Sequence, residues 1–439
     1  MRLTVIGTGY LGATHAACMA EIGHEVLGLD VQTERIAALQ SGRVPFYEPG
    51  LEDLLAKHVA SGRLRFTTSY AEAAEFGEVH FSCVGTPQKS GEPGADLRHV
   101  DAVVDSLAPH LHHPTLLVGK STVPVGTAER LAERLARLAP AGADAQLAWN
   151  PEFLREGFAI DDTLRPDRLV FGLGTPDSAA ETLLRQVYAP LLDRGTPLVT
   201  TDFATAELVK AAANAFLATK ISFINAMAEV CEASGADVTQ LSRALSYDPR
   251  IGGRFLNAGL GFGGGCLPKD IRAFMARAAE LGVDQALTFL HEVDAINMRR
   301  RDRMVELARE QCGGDLLGRR IAVWGAAFKP DSDDVRDSPA LNVAARLQLH
   351  GADVAVYDPK AMDNARKMYP SLGYAASPTE AAQGADLVLH LTEWQEFADL
   401  DPVLLADEVA HPRMLDGRNA LDPQRWRGAG WTYRALGRP

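Results

Sequence analysis

The sequence predicts an α/β protein in which two doubly wound, parallel-sheet domains are joined by a central helical domain with a long helix. Two βαβ patterns predict the outer domains, because short apolar runs at Leu3–Ile6 and at 320–325 each lead into a turn, a helical pattern and a second apolar run that ends in an acid. A helical pattern with little glycine or proline, from Ala206 to Ala228, predicts the long helix between them.

The length and the charge bound the class of protein. A chain of 439 residues is too long for one hydrophobic core, and we place the domains at residues 1–203, 204–313 and 314–439. The net charge of -13 argues against a nucleic-acid or anionic-membrane partner. It leaves an anionic small molecule open, since a few local Lys and Arg side chains are enough to bind one.

The cysteines and the apolar segments indicate a cytoplasmic protein. The five cysteines are scattered and lack CxxC spacing, which favours a reducing compartment and argues against a zinc site or a disulfide framework. Residues 1–6 run directly into a strand pattern and leave no room for a signal peptide. The apolar stretch 209–228 is interrupted by lysine and asparagine, so we expect no membrane span.

A GxGxxG turn follows the first apolar run. Gly7, Gly9 and Gly12 form it, a helical pattern comes next, and the second apolar run ends at Asp30. The glycines allow a tight turn and a close approach of the backbone to a pyrophosphate, and the acid suits a ribose diol. This order predicts a Rossmann-like domain that binds NAD rather than NADP, since a carboxylate repels a 2′-phosphate.

Three further apolar runs, 79–84, 116–120 and 147–149, each end in a polar loop that contains Gly or Pro. In an open parallel sheet, such loops lie at the carboxyl ends of the strands and line the ligand crevice. Ordinary turns would explain any one of them, but three in succession favour a site. Cys83 lies inside the first of these runs, and we expect it in the core.

The central helical patterns contain a polar pair, Lys210 and Asn214, and a basic cluster at 299–303. Lys210 and Asn214 are four residues apart and therefore share a helix face, either exposed or buried at a site, and the pattern alone does not decide between the two. Helical patterns are also predicted at 238–245, 271–281 and 287–309. In the last of these, the basic cluster 299–303 indicates a solvated face, and a linker follows at 312–315.

The stretch 261–270 combines four glycines with Cys266, Lys269 and Asp270. It supplies a potential nucleophile, a cation and a proton acceptor within five positions, and a thiol needs a nearby positive charge or donor to ionise at neutral pH. The alternative for a lone cysteine is a buried structural residue.

The second βαβ pattern has a different first turn. The turn at 325–330 lacks GxGxxG but contains Lys329, and Arg336 lies beyond an acidic loop. A lysine at this place could neutralise a phosphate. We therefore expect a second Rossmann-like domain whose ligand is of the nucleotide type but is not a second NAD.

Together these stretches resemble the nucleotide-sugar 6-dehydrogenases, most closely the branch that acts on UDP-glucose, and the resemblance covers nearly the whole chain. It implies an N-terminal NAD domain, a central dimerisation domain in a homodimer, and a C-terminal domain for the UDP moiety. The implied activity is a four-electron oxidation of C6 through a cysteine thiohemiacetal and thioester, with NAD as the cofactor and no metal.

The resemblance also implies residue roles. Catalytic roles would fall to Cys266 as nucleophile, Lys210 and Asn214 beside the reacting C6 group, Asp270 in positioning or deprotonation, and Glu152 and Thr122 at the catalytic water. Cofactor-contacting positions would be Gly7, Gly9, Leu11, Gly12, Asp30, Arg35, Thr86, Thr122, Glu156, Lys269 and Arg336. Substrate-contacting positions would be Glu152, Phe153, Leu154, Arg155, Lys210, Asn214, Arg250, Phe255, Leu256, Asn257, Ala258, Gly259, Gly263 and Lys329, with Arg250 able to reach a neighbouring subunit's site.

Departures and alternatives accompany the resemblance. Gly265 stands where the family commonly has serine, and Trp324 and Ala326 replace the usual aliphatic residues of the C-terminal turn. A sister enzyme acting on GDP-mannose or a UDP-N-acetylhexosamine is the nearest alternative. A non-catalytic nucleotide-sugar binding protein and a two-electron Rossmann dehydrogenase are further ones, although neither would need the cysteine and the second nucleotide-type domain together.

Overall fold

The computed structural model describes residues 1–438 and contains two compact units. Met1–Ala213 and Arg272–Gly282 form the first unit. Asn214–Ile271 and the chain from Val283 onward form the second. Each unit contains a sheet covered by helices, as the α/β prediction requires.

An eight-stranded sheet organises the described part of the first unit. Its strands are β1 (Arg2–Ile6), β2 (Glu25–Leu29), β3 (Leu64–Thr67), β4 (Val79–Ser82), β5 (Thr115–Gly119), β6 (Ala145–Trp149), β7 (Leu169–Leu173) and β8 (Leu198–Asp202). The strand order is β3-β2-β1-β4-β5-β6-β7-β8, and all neighbours are parallel except β6 and β7. β2 and β4 are the neighbours of β1 on its two sides, so the strand order reverses at β1. The switch point of a Rossmann sheet therefore lies at the carboxyl end of β1.

Helices cover both faces of this sheet. They are α1 (Tyr10–Glu21), α2 (Thr33–Gln40), α3 (Leu51–Ala60), α4 (Tyr70–Phe76), α5 (Arg98–Leu107), α6 (Thr127–Leu138), α7 (Ala159–Leu164), α8 (Ala179–Val187) and α9 (Ala189–Leu192). The alternation of side chains along β1 feeds two cores, with Leu3 and Val5 in one and Ile6 in the other. Cys83 is buried in the first core, as predicted.

Four helices follow β8. They are α10 (Phe203–Ser234), α11 (Val238–Ser246), α12 (Leu267–Glu280) and α13 (Phe289–Gln311). The predicted long helix is α10, which extends beyond both predicted ends. The predicted start of α12 at Ile271 is wrong, because the first turn tolerates Pro268 and the helix begins directly after Cys266. Among the described residues, the model has no helix with the length and apolarity that a bilayer crossing demands.

A six-stranded parallel sheet organises the rest of the second unit. Its strands are β9 (Arg320–Trp324), β10 (Asp353–Tyr357), β11 (Gly373–Tyr374), β12 (Leu387–His390), β13 (Arg413–Asp416) and β14 (Thr432–Ala435), in the order β11-β10-β9-β12-β13-β14. Its helices are α14 (Pro339–Leu349), α15 (Met362–Met368), α16 (Pro378–Ala382), α17 (Gln395–Asp399), α18 (Pro402–Ala406) and α19 (Pro423–Gly428). The strand order repeats that of β1–β6, which confirms the second Rossmann-like domain.

The basic cluster on α13 is not a solvated face throughout. Arg300 and Arg301 are buried, and they pair with Glu232 at 3.2 Å and with Asp337 at 2.8 Å. The prediction from sequence is therefore wrong for these two arginines. Their acidic partners lie far away along the chain, so the local pattern of charge could not reveal them.

Candidate active site

The turn after β1 has the backbone that a dinucleotide phosphate requires. Gly7 has a φ of +86°, in the left-handed region, and α1 begins directly after Gly9. A Cβ atom on Gly12 would lie 1.8 Å from the carbonyl oxygen of Gly7, whereas one on Gly9 would meet no atom within 4 Å. Gly12 thus permits close helix–strand contact, and the space beside Gly9 at the N-terminus of α1 is open. Leu11 packs half-buried on the first core.

Asp30 follows β2 and lies beside this turn. Its carboxylate accepts hydrogen bonds from the Thr8 N–H at 2.9 Å, the Gln32 N–H at 3.0 Å and the Arg35 guanidinium at 2.9 Å. Burial favours the neutral acid, but the hydrogen bonds outweigh it and lower the pKa of Asp30. An ionised carboxylate suits a ribose diol, so the residues present fit NAD.

Replacing Asp30 by asparagine should raise the KM for NAD by about ten- to hundredfold, because a hydrogen bond to a charged group contributes about 1.5–3 kcal/mol. The same change should narrow the preference for NAD over NADP, since the repulsion of a 2′-phosphate is lost. Steady-state kinetics with both cofactors measures this. Asp202→Asn is the control, because Asp202 bonds Thr205 at the start of α10 and should leave both KM values unaltered. An unaltered KM for NAD in Asp30→Asn would contradict the assignment.

The loops after β4 and β5 meet through two hydroxyl groups. Thr86 Oγ1 donates to the carbonyl oxygen of Thr122 at 2.8 Å, and Ser121 Oγ donates to the carbonyl oxygen of Val84 at 2.6 Å. The two strands are parallel neighbours, so their carboxyl ends lie side by side. The structure therefore brings together Thr86 and Thr122, two residues predicted to contact the cofactor.

Lys210 and Glu152 form an ion pair in the first unit. Lys210 Nζ lies 3.0 Å from Glu152 Oε1, and the two side chains are only 6% and 14% exposed. The second carboxylate oxygen of Glu152 accepts the Leu154 N–H at 2.6 Å, and Lys210 Nζ lies 5.7 Å from the Phe153 ring centroid. Lys210 is thus buried rather than exposed, and a cation and a proton acceptor are held in contact. Arg155 instead pairs with Asp162 at 2.6 Å.

Lys120 supports the loop that carries Glu152. It is buried at the end of β5, where its Nζ donates to Asn150 Oδ1 at 2.9 Å, and the Tyr188 hydroxyl donates to the same oxygen at 2.7 Å. Burial lowers the pKa of Lys120 to about 8. Asn150 immediately precedes the Pro151–Glu152 segment, so these bonds fix its start. Nothing in the sequence around Lys120 marks this role, because its partner Asn150 lies 30 residues away.

Glu48 secures the far end of the same loop. Its carboxylate accepts the N–H groups of Gly157 at 2.6 Å and Ala159 at 2.7 Å, and it also accepts the hydroxyl of Tyr10. Tyr10 belongs to the GxGxxG turn, so one side chain connects the turn to the loop that contains Glu156. Nothing in the sequence around Glu48 marks this role, because its partners lie 38 to 111 residues away.

Cys266 directly precedes α12 in the second unit and is exposed, whereas the other four cysteines are buried. Burial raises the pKa of the Cys18 and Cys83 thiols to about 12. The N-terminus of a helix favours a thiolate electrostatically. The alternative of a buried structural cysteine is therefore wrong for Cys266, and its place suits a nucleophile.

Asp270 lies in the first turn of α12 between two other predicted residues. Its Oδ2 accepts the Asn214 side-chain amide at 2.6 Å, and its Oδ1 accepts Lys269 Nζ at 2.5 Å. The Asp270 side chain is 2% exposed. Asn214, whose exposure the sequence left open, is buried. The structure thus joins an amide, a carboxylate and an ammonium group into one network.

Helix α13 braces the glycine-rich loop before Cys266. Asn297 accepts the Phe262 N–H at 2.8 Å and donates to the Phe262 carbonyl oxygen at 3.0 Å. Gly261 and Gly264 have φ values of +92° and +84°, which other residues rarely adopt. A Cβ atom on Gly261 would lie 2.3 Å from Asn297 Oδ1. The glycines are therefore required by this contact and by the backbone.

Two asparagines hold the predicted substrate-contacting segment 255–259, and neither had been assigned a role from the sequence. Asn225 accepts the Gly259 N–H at 2.9 Å, and Asn419 donates to the Ala258 carbonyl oxygen at 3.1 Å. Asn225 lies in α10 and Asn419 follows β13, so neither is adjacent to the segment in sequence. The other predicted substrate positions of this unit differ in exposure: Leu256 and Gly263 are buried, Phe255 and Lys329 are half-buried, and Asn257 and Arg250 are exposed.

The second sheet also has an acid, Asp358, after its second strand, and this acid accepts hydrogen bonds from the turn after β9 and from Trp394. Asp358 Oδ2 accepts the N–H groups of Ala326 at 2.8 Å and Ala327 at 3.0 Å and the Trp394 indole N–H at 3.0 Å. Asp358 is buried like Asp30, but it accepts an indole N–H where Asp30 accepts an arginine. The expectation that the ligand of the second domain is not a second NAD stays a prediction. Lys329 remains as the cation of this turn.

Three family models match successive parts of the chain. Residues 1–192 match the NAD binding domain of the UDP-glucose/GDP-mannose dehydrogenase family, residues 204–299 its central domain and residues 322–423 its UDP binding domain. A UDP-glucose 6-dehydrogenase of Rhizobium meliloti is 43% identical over 100% of both chains. The chain belongs to the UDP-glucose/GDP-mannose dehydrogenase family.

Other members of the family agree in sequence and structure. A UDP-glucose 6-dehydrogenase of Pseudomonas aeruginosa is 42% identical, with 100% of this chain and 98% of the relative covered. The structure of a UDP-glucose dehydrogenase from Pyrobaculum islandicum has a TM-score of 0.91 at 38% identity and covers 100% of this chain and 98% of its own. A UDP-D-ManNAc dehydrogenase from Pyrococcus horikoshii has a TM-score of 0.86 at 27% identity, covering 100% and 99%.

Gly265, where the resemblance leads us to expect serine, lies against Arg336. A Cβ atom on Gly265 would lie 2.2 Å from the guanidinium carbon of Arg336. Arg336 is held by Asp334 through its Nε at 2.9 Å and its Nη2 at 2.7 Å, and Asp334 also accepts the Gly265 N–H at 3.3 Å. A serine at this position would require the exposed Arg336 side chain to move. Glycine at 265 is therefore matched to the place of Arg336.

Proposed function

We propose that this chain oxidises the C6 alcohol of UDP-glucose to the carboxylate, giving UDP-glucuronate, with NAD as the oxidant. The observation that carries the proposal is the likeness along the whole chain to UDP-glucose 6-dehydrogenases at 43% and 42% identity, against 27% for the UDP-D-ManNAc dehydrogenase. The match of residues 322–423 to a UDP binding domain supports the nucleotide part of the substrate.

The proposed chemistry proceeds in two oxidations and a hydrolysis. When bound, NAD supplies hydride acceptance from C6 in each oxidation. The first oxidation turns the alcohol into an aldehyde. The Cys266 thiolate then adds to the aldehyde carbon, which gives a thiohemiacetal with a hydrogen still on C6. The second oxidation leaves a thioester, and water cleaves its C–S bond to give the acid and return the thiol.

We assign the remaining roles to the polar groups already described. Lys210 and Asn214, one turn apart on α10, are the donors to the oxyanions that form at C6. The first proton passes to Asp270, to a bound water, or to Lys210 in its neutral form, since the ammonium form has no lone pair to accept it. Glu152, paired with Lys210, accepts a proton from the hydrolytic water, and Thr122 holds this water. Burial of Lys210 and Glu152 supports these roles, since a donor acts more strongly where water is excluded.

Counting NADH per sugar tests the proposal. Purified protein is mixed with NAD and one of UDP-glucose, GDP-mannose, UDP-N-acetylmannosamine or UDP-galactose, and absorbance follows NADH. We expect two NADH per UDP-glucose and slow reaction with the others. One NADH per sugar would contradict the thioester route. Activity with another sugar alone would replace the substrate and keep the mechanism, and inactivity with all of them would favour a binding protein.

We further propose that two copies form a homodimer through α10. Phe216, Phe223 and Val230 are spaced by seven residues, so they lie on one helix face, and they are 66%, 49% and 57% exposed. Such a stripe of large apolar side chains is typical of a helix–helix interface.

The absence of disulfides among the five cysteines of residues 1–438 supports a reducing, cytoplasmic location.

Replacing Phe223 by glutamate should convert the dimer to a monomer, because a buried unpaired carboxylate opposes the contact. Size-exclusion chromatography with light scattering measures the mass. Leu349→Glu is the matched control, since Leu349 is 85% exposed at the end of α14 and should not change the mass. A Phe223→Glu protein that stays dimeric would exclude this face.

A further inference from the structure

A buried glutamate on α10 is attached to the loop that carries Thr122. Glu207 Oε2 accepts the Gly126 N–H at 2.8 Å, and its Oε1 accepts the Ala128 N–H at 2.6 Å. These N–H groups belong to the start of α6, which follows the Thr122 loop directly. Glu207 is 1% exposed. The carboxylate therefore caps α6 from another helix and is not a surface charge.

The helix that carries Glu207 also carries Lys210 of the ion pair with Glu152. Glu207 and Lys210 are one turn apart on α10, and Lys210 Nζ lies 3.0 Å from Glu152. Glu207 therefore ties the start of α6 to α10, the same helix that carries Lys210. One side chain connects the backbone next to Thr122 with the element that presents the lysine.

Two further hydrogen bonds restrain the same loop. The Thr86 hydroxyl donates to the Thr122 carbonyl oxygen at 2.8 Å, and Arg277 Nε of α12 donates to the Val125 carbonyl oxygen at 3.0 Å. Behind the loop is a cavity of about 300 Å³, lined in part by Pro124, Val125 and Gly126. The loop is therefore not packed on all sides, although Val123 is buried in the core and Ser121 bonds Val84, and the hydrogen bonds named above help to set its position.

The surroundings of Glu207 place its titration near neutrality. Burial is the largest influence, and it outweighs the N–H groups of Ala128, Gly126 and Thr127 and the positive charge of Arg277, so that the pKa of Glu207 is raised to about 7. Arg277 is the charged group that faces it from α12, and it also pairs with Glu280 at 2.7 Å. From α6 the groups that face it are backbone N–H groups.

We propose that Glu207 is a positioning residue for the reaction, whose ionised carboxylate sets the place of Thr122 relative to Lys210 by fastening the start of α6 to α10. The proposal rests on the proposed function, in which Thr122 and Lys210 act on the water and on C6. An ionised carboxylate accepts both N–H groups. A protonated carboxyl has one hydroxyl oxygen that no longer accepts well, so one of the two bonds is lost.

The pH dependence has a defined sign. The kcat should rise as pH increases through about 7, because the ionised form holds the loop. Stability changes in the opposite direction. A carboxyl whose pKa is raised by folding stabilises the protein fully below its unfolded pKa, about 4.3, and this contribution is lost as pH rises through the folded value.

Glu207→Gln tests the positioning role, since glutamine keeps the shape and one acceptor but does not titrate. We expect kcat to fall about ten- to hundredfold above pH 7. The rise in kcat near pH 7 should disappear, while the KM values for NAD and UDP-glucose stay within about twofold. Glu181→Gln is the matched control, because Glu181 is buried at the start of α8 and pairs with Arg185. A Glu207→Gln protein with the wild-type profile would overturn the proposal.

Hydrogen exchange on the unaltered protein gives a second test that needs neither a variant nor turnover. After correction for the intrinsic effect of pH, and relative to core amides that report global unfolding, the peptide containing Gly126 and Ala128 should be better protected at pH 8 than at pH 6, because its local opening detaches these N–H groups from a Glu207 that stays buried. Equal protection at both pH values would overturn the proposal even if the variant failed to fold. If the wild-type protein showed no NADH production, the proposed function would fail, while the exchange experiment would still report on the Glu207 contact.

Discussion

Cys266→Ser gives a protein that binds NAD and UDP-glucose but does not sustain NADH production. The expected loss in kcat is about 10³-fold or more, because a serine hydroxyl ionises far less readily than a thiol and the other four cysteines are buried. Steady-state absorbance measures the loss. Mass spectrometry of the variant after one turnover would show whether any sugar remains attached.

The control for this prediction uses the burial of the other cysteines. Cys312 is 2% exposed, so Cys312→Ala should lower the melting temperature without changing kcat. Iodoacetamide should label Cys266 first, and NAD with UDP-glucose should slow that labelling. Wild-type turnover by Cys266→Ser would exclude the nucleophile role and the thioester with it.

Lys210→Ala should lower kcat by about 10²–10³-fold, the cost of removing one preorganised donor from an oxyanion. The ion pair adds a second effect, because the Glu152 charge would be left buried without its partner. The double variant with Glu152→Gln should therefore lose less activity than the sum of the two single changes. Kinetics of the four proteins gives this coupling.

Lys220→Ala is the matched control on the same helix. Lys220 donates to the Ile251 and Gly252 carbonyl oxygens at 3.0 and 3.2 Å and has no contact with Glu152 among the described interactions. Its removal should lower kcat far less than Lys210→Ala does. Strict additivity of the Lys210 and Glu152 changes would show that the two side chains do not act together.

The fold was largely predictable because its signals are local. A buried strand, a GxGxxG turn, a helix and an acid at the end of the next strand occur within 30 residues, and each has its own pattern. The same pattern without the glycines located the second sheet. Predictions were poorer where a helix start depended on one proline, at Pro268, or where charges found partners far along the chain, at Arg300 and Arg301.

The residues that carry the chemistry of the candidate site were predictable from their types. The residues that hold them in place were not. Lys210, Asn214, Asp270 and Cys266 carry chemistry that is visible in sequence, and the structure adds their burial, exposure and bonds. Glu48, Lys120 and Glu207 could not be found, since each acts by bonding the backbone or an amide of a segment at least 30 residues away. A glutamate that accepts two backbone N–H groups has no sequence signature.

The bonds of Asp358 bear on how the second sheet could be re-engineered for a different nucleotide. Adding glycines to the turn after β9 would imitate the turn after β1, yet it would leave the Ala326 and Ala327 N–H groups committed to Asp358. A phosphate would then compete with a carboxylate of its own charge for the same donors. A designer would first have to supply those amides with a neutral partner, and only afterwards reshape the loop.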